Sequence, residues 1–177
     1  MKLINKFKSP NFDSRKSIPI KFIIIHYTAL RNCQEAIKYL CNKDKKVSCH
    51  YLISKKGEIY QLVNDNKRAW HAGISCWGNI TDINSHSIGV ELDYDANIEG
   101  KKFSTKMINS LSELISSLKS RYNLDWDSFF GILTRNLEIS YVIVDNPEYF
   151  TEFTNLWLNV DLDTWKDYLK LKLLSST

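Results

Sequence analysis

The sequence lacks the features that mark several large classes of protein. Its longest β-branched apolar stretch, within residues 18–25, is interrupted by Pro19 and Lys21 and is far too short to span a membrane. The 24 lysines and arginines are scattered along the chain, so a net charge of +4 forms no basic patch. These absences predict no membrane span and no nucleic-acid partner.

The four cysteines show neither a CxxC pair nor the spacing of a disulfide framework. Cys33 and Cys41 fall on one predicted helix, roughly 12 Å apart at about 1.5 Å per residue, which is too far for a disulfide. We expect free thiols, as in a reducing compartment. Lys2, Lys6 and Lys8 are followed by no apolar signal segment. The sequence as given therefore predicts a soluble cytoplasmic protein, or a periplasmic or secreted one if a signal was removed.

Hydrophobic periodicity predicts an α/β fold. Residues 20–27 form a continuous β-branched run, typical of a strand buried on both faces, and we expect it at the centre of the sheet. Residues 32–42 and 105–122 repeat apolar side chains at helical spacing, and the second helix should pack across the sheet. Further strands are predicted at residues 49–53, 58–63, 86–92 and 129–133. This alternation predicts a central mixed β-sheet flanked by helices.

The chain contains no internal repeat and no linker, which predicts one domain over residues 18–177. Residues 1–17 are polar and aperiodic, and we expect them to form a flexible N-terminal arm. Residues 67–84 also have no steady period and should form a long ordered loop. Such loops are more often functional than structural filler.

Two polar side chains stand at the ends of apolar strands. His26 closes the first strand, and Glu91 ends the later one. Each alone has an ordinary structural explanation, as a hydrogen-bonded core-edge histidine or as a carboxylate at a solvated rim. If both lie at one sheet edge, they can form a metal site with a general base.

Four segments resemble, in order, the motifs of the type 2 N-acetylmuramoyl-L-alanine amidases. They are IIIHYTA (23–29), SCHYLISKKGEIYQLV (48–63), AWHAGISCWGN (69–79) and INSHSIGVEL (83–92). This family is zinc-dependent and shares its fold with bacteriophage amidase lysozymes and animal peptidoglycan recognition proteins. The resemblance is close over residues 20–92 and looser to residue 131. It implies the amidase/peptidoglycan-recognition-protein-like fold and a partner that is peptidoglycan or a muropeptide fragment.

The resemblance also implies a reaction and the residues that perform it. His26 matches the family's first zinc ligand, and Glu91 matches the glutamate that activates or orients the zinc-bound water. Zinc lowers the pKa of its water to about 7 and polarises the amide carbonyl. The attack separates the lactyl group of muramic acid from L-alanine of the stem peptide.

The resemblance assigns the groove to the third motif, AWHAGISCWGN (69–79). Trp70, His71 and Ala72 match the loop that flanks the muropeptide, and Trp77 is expected to line the same groove as a substrate-binding residue. His50 matches a strand histidine that is not a zinc ligand.

The sequence departs from the family after Gly131. There the family has a glycine-histidine pair whose histidine is the second zinc ligand, whereas here Ile132 follows the glycine. No lysine occurs between Lys119 and Lys166, so the transition-state-stabilising lysine is unmatched. Asp145 stands before Asn-Pro, about three residues late for the acidic ligand of the family, and is the remaining candidate metal ligand.

Several alternatives follow from this departure. Cys49 is the candidate replacement for the missing ligand, or the nucleophile of a thiol amidase. A change of reading frame or decay after Gly131 is another explanation. The chain is then either a divergent zinc amidase, completed by His26, Asp145 and Cys49, or a pseudo-amidase that kept the groove and lost the metal. We expect impaired or absent catalysis, because Ile132 offers zinc no donor atom.

Overall fold

The computed structural model describes residues 1–77, 79–95, 103–124, 129–135 and 138–143, with only the backbone of 76–77, 129–135 and 138–143. The helices of these residues are α1 (Cys33–Leu40), α2 (Ile83–His86) and α3 (Thr105–Tyr122). Their strands are β1 (Leu3–Ile4), β2 (Phe12–Ser14), β3 (Phe22–Tyr27), β4 (Tyr51–Ile53), β5 (Ile59–Gln61), β6 (Lys67–Ala69), β7 (Cys76–Trp77), β8 (Ile80–Thr81), β9 (Ser87–Leu92), β10 (Phe129–Arg135) and β11 (Glu138–Ile143).

A seven-stranded mixed sheet in the order β1-β5-β4-β9-β3-β10-β11 confirms the predicted fold class. Strand β3 lies between β9 and β10 and runs parallel to both, and β4 runs parallel to β9. β4 and β5, which lie in the predicted strands 49–53 and 58–63, pair antiparallel, and a second antiparallel pair, β10–β11, ends the sheet. All six residues of β3 are buried, although β9 rather than β3 is the middle strand.

Helix α3 has the bounds that its apolar period predicts. The Ser104 side chain caps its first turn by accepting a 3.1 Å hydrogen bond from the Met107 backbone N–H, and Asn123 ends it in the left-handed conformation. Its apolar side packs on one face of the sheet, against a cluster that includes Ile23, Ile25 and Val90. Burial of each such side chain stabilises the fold by about 1.5–3 kcal/mol. Among the described residues, no helix is long and apolar enough to cross a membrane.

Helix α1 covers the opposite face of the sheet. Its N-terminus is capped by Asn32, and its buried residues pack with Leu52 of β4. Leu52 is in register with Glu91, and Glu91 with His26, so the three residues share the α1 face. The fold therefore places both candidate catalytic residues on one side of the sheet.

Residues 1–17 differ from the flexible arm that their composition predicts. Strand β1 extends the main sheet beside β5, and β2 pairs with β6. Ser9, Asn11 and Arg15 are buried. The Asn11 amide donates to the Asn42 and Val47 carbonyls at 2.8 and 2.9 Å. The polar side chains that give this segment the composition of a loop are the ones that hydrogen-bond backbone groups of the domain.

The segment 67–84 is also more regular than predicted. It contains β6, β7, β8 and the start of α2. Strands of two or three residues are too short for an alternating pattern to show in sequence. This segment nonetheless brings the AWHAG motif against the sheet, where the candidate site lies.

Candidate functional site

His26 and Glu91 lie side by side on adjacent parallel strands. His26 is 5% exposed, and burial lowers its pKa to about 4. Burial raises the pKa of Glu91 from 4.5 to about 8, and its Oε2 atom is buried with no hydrogen-bond partner among the described residues. At neutral pH the imidazole is therefore uncharged and the carboxyl holds its proton. The pair can donate to a ligand carbonyl and accept from a ligand N–H or O–H.

His71 joins this pair from the loop after β6. Its Nδ1 lies 3.0 Å from His26 Nε2, and the two rings meet edge to face. Its Nε2 lies 3.1 Å from Ser87 Oγ. The Asn84 side-chain carbonyl accepts hydrogen bonds from the backbone N–H groups of His71 and Ala72, at 3.0 and 2.9 Å. The loop is thus docked on α2 and β9, and it places the His71 ring against His26.

His50 is held as a neutral structural histidine. Its Nδ1 accepts a 2.9 Å hydrogen bond from the Gly89 backbone N–H, and its Nε2 lies 3.0 Å from the Lys67 carbonyl. Since Nδ1 accepts, Nε2 carries the proton and donates. Burial lowers the pKa of His50 to about 4. With both ring nitrogens engaged, His50 has none to offer a metal, in agreement with the non-ligand role that the resemblance implies.

Arg15 was not found from sequence, and it ties the arm to the site. Its guanidinium is buried and donates to five main-chain carbonyls on both sides of the histidine cluster, those of Asp65, Lys67, Asn84, Ser85 and Ser87. One arginine in a polar, aperiodic segment gives no local signal of such a role. Only the fold shows that Arg15 links β6 to α2 and β9.

The predicted groove residues occupy different environments. Trp70 is partly exposed, as a groove residue must be, and its indole N–H donates to Asp13 at 2.7 Å. Ala72 packs against the Phe22–Ile24 cluster. The backbone of Trp77 belongs to β7, but its side chain lies outside the described residues. The substrate-binding roles of Trp70, His71, Ala72 and Trp77 stay predictions.

Strand β10 places Ile132 beside His26. Gly131 pairs with Ile25, and Ile132 follows Gly131 in β10 as His26 follows Ile25 in β3. Ile132 is therefore the residue after the last β3–β10 pair on β10, as His26 is on β3, and the resemblance places the second zinc histidine at this position. An isoleucine has no atom that binds a metal.

The described residues do not fit a complete zinc site. A catalytic zinc needs three protein ligands, and in the described part of the chain no three His, Cys, Asp or Glu side chains are grouped to hold a metal. His26 is one imidazole of such a set. The other candidate, Asp145, lies outside the described residues.

Cys49 belongs to no group of three candidate metal-ligating side chains among the described residues. It is fully buried in the cluster under α1, with Ala36, Leu40 and Leu52. Burial raises the pKa of its thiol well above the ordinary value. Zinc binding and nucleophilic attack both require the thiolate. Burial in apolar surroundings therefore argues against Cys49 as a nucleophile.

Comparison with known proteins identifies the same family as the motifs. The family profile of the N-acetylmuramoyl-L-alanine amidases matches residues 16–143. N-acetylmuramoyl-L-alanine amidase AmiD of Escherichia coli (strain K12) is 43% identical over 81 residues, which are 42% of this chain and 28% of AmiD. The chain thus matches less than a third of AmiD's length. The 1,6-anhydro-N-acetylmuramyl-L-alanine amidase AmpD of Haemophilus influenzae is 30% identical over 135 residues, 66% of this chain and 72% of AmpD.

The fold comparison agrees with the sequence comparison. The structure of E. coli AmiD in complex with the substrate anhydro-N-acetylmuramic acid-L-Ala-D-γ-Glu-L-Lys superposes with a TM-score of 0.58 at 32% identity. The superposition covers 67% of this chain and 51% of AmiD. The family profile spans the described site, from Arg15's neighbour Lys16 to the end of β11. The chain therefore belongs to the N-acetylmuramoyl-L-alanine amidase family.

Proposed function

We propose that this chain binds muropeptides at the His26–Glu91 pair and hydrolyses their lactyl–L-alanine amide slowly or not at all. The observation that supports the proposal is the register of β10, in which Ile132 follows the Gly131–Ile25 pair, at the position where the family resemblance expects a zinc-binding histidine. The family resemblance matches His26 to a zinc ligand and Glu91 to the glutamate that acts on the zinc-bound water, and the two residues are paired on adjacent strands. The chain therefore has two of the family's catalytic groups, while the position of the second zinc histidine carries an isoleucine.

The retained groups are suited to binding an amide. Burial keeps Glu91 protonated at neutral pH, so its carboxyl can donate to the amide carbonyl. The neutral imidazole of His26 can accept a proton from a ligand N–H or hydroxyl. The AmiD substrate complex supports an anhydro-muramyl peptide as the ligand class. In a family member that holds zinc, the metal supplies an activated water and polarises the carbonyl.

An active zinc amidase is the second candidate function. It is favoured by the carboxyl of Glu91, whose raised pKa of about 8 lies near the range that a general acid–base catalyst needs. This function requires Asp145 and one further ligand to complete the site with His26.

Zinc content, binding and turnover of the purified protein test both functions together. We expect well under one zinc per chain, binding of anhydro-N-acetylmuramic acid-L-Ala-D-γ-Glu-L-Lys by calorimetry with or without chelator, and little release of free peptide. His26→Ala should weaken binding, whereas Lys38→Ala, on the exposed side of α1, should not. Stoichiometric zinc with His26-dependent peptide release would establish the amidase instead. Absence of binding in both conditions would refute the binding function.

A further inference from the structure

We infer that His71 and Ser87 are positioning residues that set the tautomer of His26, so that Nδ1 is the ring nitrogen with a lone pair to offer. With the main-chain carbonyl of Ile83 they form three hydrogen bonds that all run in one direction. The inference rests on the proposed function only for what His26 does with that lone pair. The tautomer itself is a property of the ligand-free protein.

The direction of the chain begins at the Ile83 carbonyl, which can only accept. Ser87 Oγ lies 2.6 Å from that oxygen, so the hydroxyl proton points to Ile83. A serine hydroxyl has one proton, and Ser87 Oγ must therefore accept at its other contact. That contact is His71 Nε2 at 3.1 Å, which accordingly carries a proton and donates.

The chain then passes from His71 to His26. A neutral imidazole has one N–H, so His71 with its proton on Nε2 has a lone pair on Nδ1. His26 Nε2 lies 3.0 Å from this atom and must donate to it. His26 is thereby the Nε2–H tautomer, and its Nδ1 is unprotonated.

Gly89 provides the space that this arrangement needs. A Cβ at position 89 would lie 2.4 Å from His71 Cγ and 2.5 Å from Cδ2, closer than a side chain can approach. The absence of a side chain thus lets the His71 ring lie directly on β9. His50, whose ring lies 5.7 Å from that of His71, has both nitrogens engaged elsewhere and does not compete.

Such an arrangement has a known physical use. A histidine that offers one ring nitrogen to a metal or ligand usually donates its other N–H to a protein group, which fixes the tautomer and the ring orientation. Here the acceptor is a second imidazole, and its own tautomer depends on Ser87. A change at Ser87 should therefore reach His26 through His71, without any contact between Ser87 and His26.

Nitrogen-15 NMR of histidine-labelled protein tests the inference directly, without ligand or metal. Long-range proton–nitrogen correlations distinguish the two neutral tautomers of each imidazole, and we expect Nε2–H for both His26 and His71. Ser87→Ala removes the acceptor for His71 Nε2–H, so His71 can carry its proton on Nδ1 and His26 then shifts toward Nδ1–H. Loss of one hydrogen bond should change the tautomer ratio of His26 by about five-fold.

Matched variants separate this effect from general damage. Ser85→Ala removes a serine of α2 that bonds Asp82 and Arg68, two residues before Ser87, and should leave the tautomer of His26 unchanged. Ser87→Thr keeps the hydroxyl and should preserve the tautomer of His26. Gly89→Ala displaces the His71 ring, so His26 should lose its preference for the Nε2–H tautomer. This variant tests the inference even if Ser87→Ala folds poorly.

The NMR experiment can fail or succeed independently of muropeptide binding, which tests the proposed function. His26 found as Nδ1–H in the unmodified protein, or unchanged in both Ser87→Ala and Gly89→Ala, would overturn the inference. Nε2–H tautomers that respond as expected in a protein that binds no muropeptide would uphold the inference and refute the proposed function. Where the peptide does bind, Ser87→Ala should weaken it by a similar, about five-fold factor.

Discussion

Strands β9 and β10 flank the same strand, β3, yet they contribute differently to the site. β9 pairs with β3 along all six residues and brings Glu91, Ser87 and Gly89 to the histidine cluster. β10 pairs with β3 through Phe129–Gly131 and presents Ile132 at the next position. Strand pairing uses main-chain hydrogen bonds, so almost any residue with strand character can occupy a position. A metal site needs a side chain with a ligating atom at one particular position. The sheet is therefore retained where the ligand set is not.

The largest expected effect tests the β10 side of this comparison. Ile132→His restores an imidazole beside His26, and zinc content by mass spectrometry should rise more than ten-fold if Asp145 completes the set. Ile132→Val keeps the position apolar and is the matched control. Adding His26→Ala to Ile132→His should remove the gained zinc. If Ile132→His takes up no more zinc than Ile132→Val, the acidic ligand is not in place. Restoring one histidine would then not be enough to restore zinc binding.

The reading-frame explanation makes a separate prediction at the same point. A glycine-histidine pair is encoded by GGN followed by CAT or CAC. Loss of the last glycine nucleotide leaves GGC followed by ATN or ACN, and ATN encodes isoleucine in three of its four forms. Gly131–Ile132 is therefore one product of a single lost nucleotide. Sequencing the gene again should show a histidine codon in the shifted frame, with a lysine and an acidic residue downstream. A frame without them would exclude this origin.

The part of the site formed by β9 depends on residues 1–17, which contribute Arg15. Arg15→Ala removes a buried guanidinium and leaves five carbonyls without their donor. We expect a loss of about 3–5 kcal/mol in the free energy of unfolding, measured with denaturant. Lys16→Ala, at the exposed next position, should change it by less than about 0.5 kcal/mol. Equal stability of the two variants would show that the arm is peripheral.

The same contrast separates what sequence could predict from what it could not. The bounds of α3, the burial of β3 and the pairing of His26 with Glu91 follow from period and motif, which depend on neighbours in the chain. The roles of Arg15 and Ser87 depend on hydrogen bonds between distant segments, and a polar residue looks the same in sequence whether or not it makes them. Residues 1–17 illustrate this, because their hydrogen bonds to the rest of the domain appear only in the fold.

The smallest expected effect concerns the proton on Glu91. Its pKa is raised from 4.5 to about 8 by burial, so between these pH values the folded protein holds a proton that the unfolded chain has released. The contribution of Glu91 to the free energy of unfolding must therefore fall as the pH rises from 4.5 to about 8, and it stays constant above that range. The lowered pKa values of the buried histidines act in the opposite direction at lower pH.

Comparison with Glu91→Gln isolates this contribution, because the histidines are common to both proteins. The glutamine remains uncharged, so the variant should gain about 2 kcal/mol relative to the unmodified protein between pH 5 and 8, after allowance for the partial exposure of the carboxyl. Denaturant unfolding at closely spaced pH values measures the difference. Glu113→Gln, on the exposed side of α3, is the matched control. A flat difference for Glu91→Gln would mean that Glu91 is ionised at neutral pH, and its carboxylate would then accept, rather than donate, at the amide of a bound muropeptide.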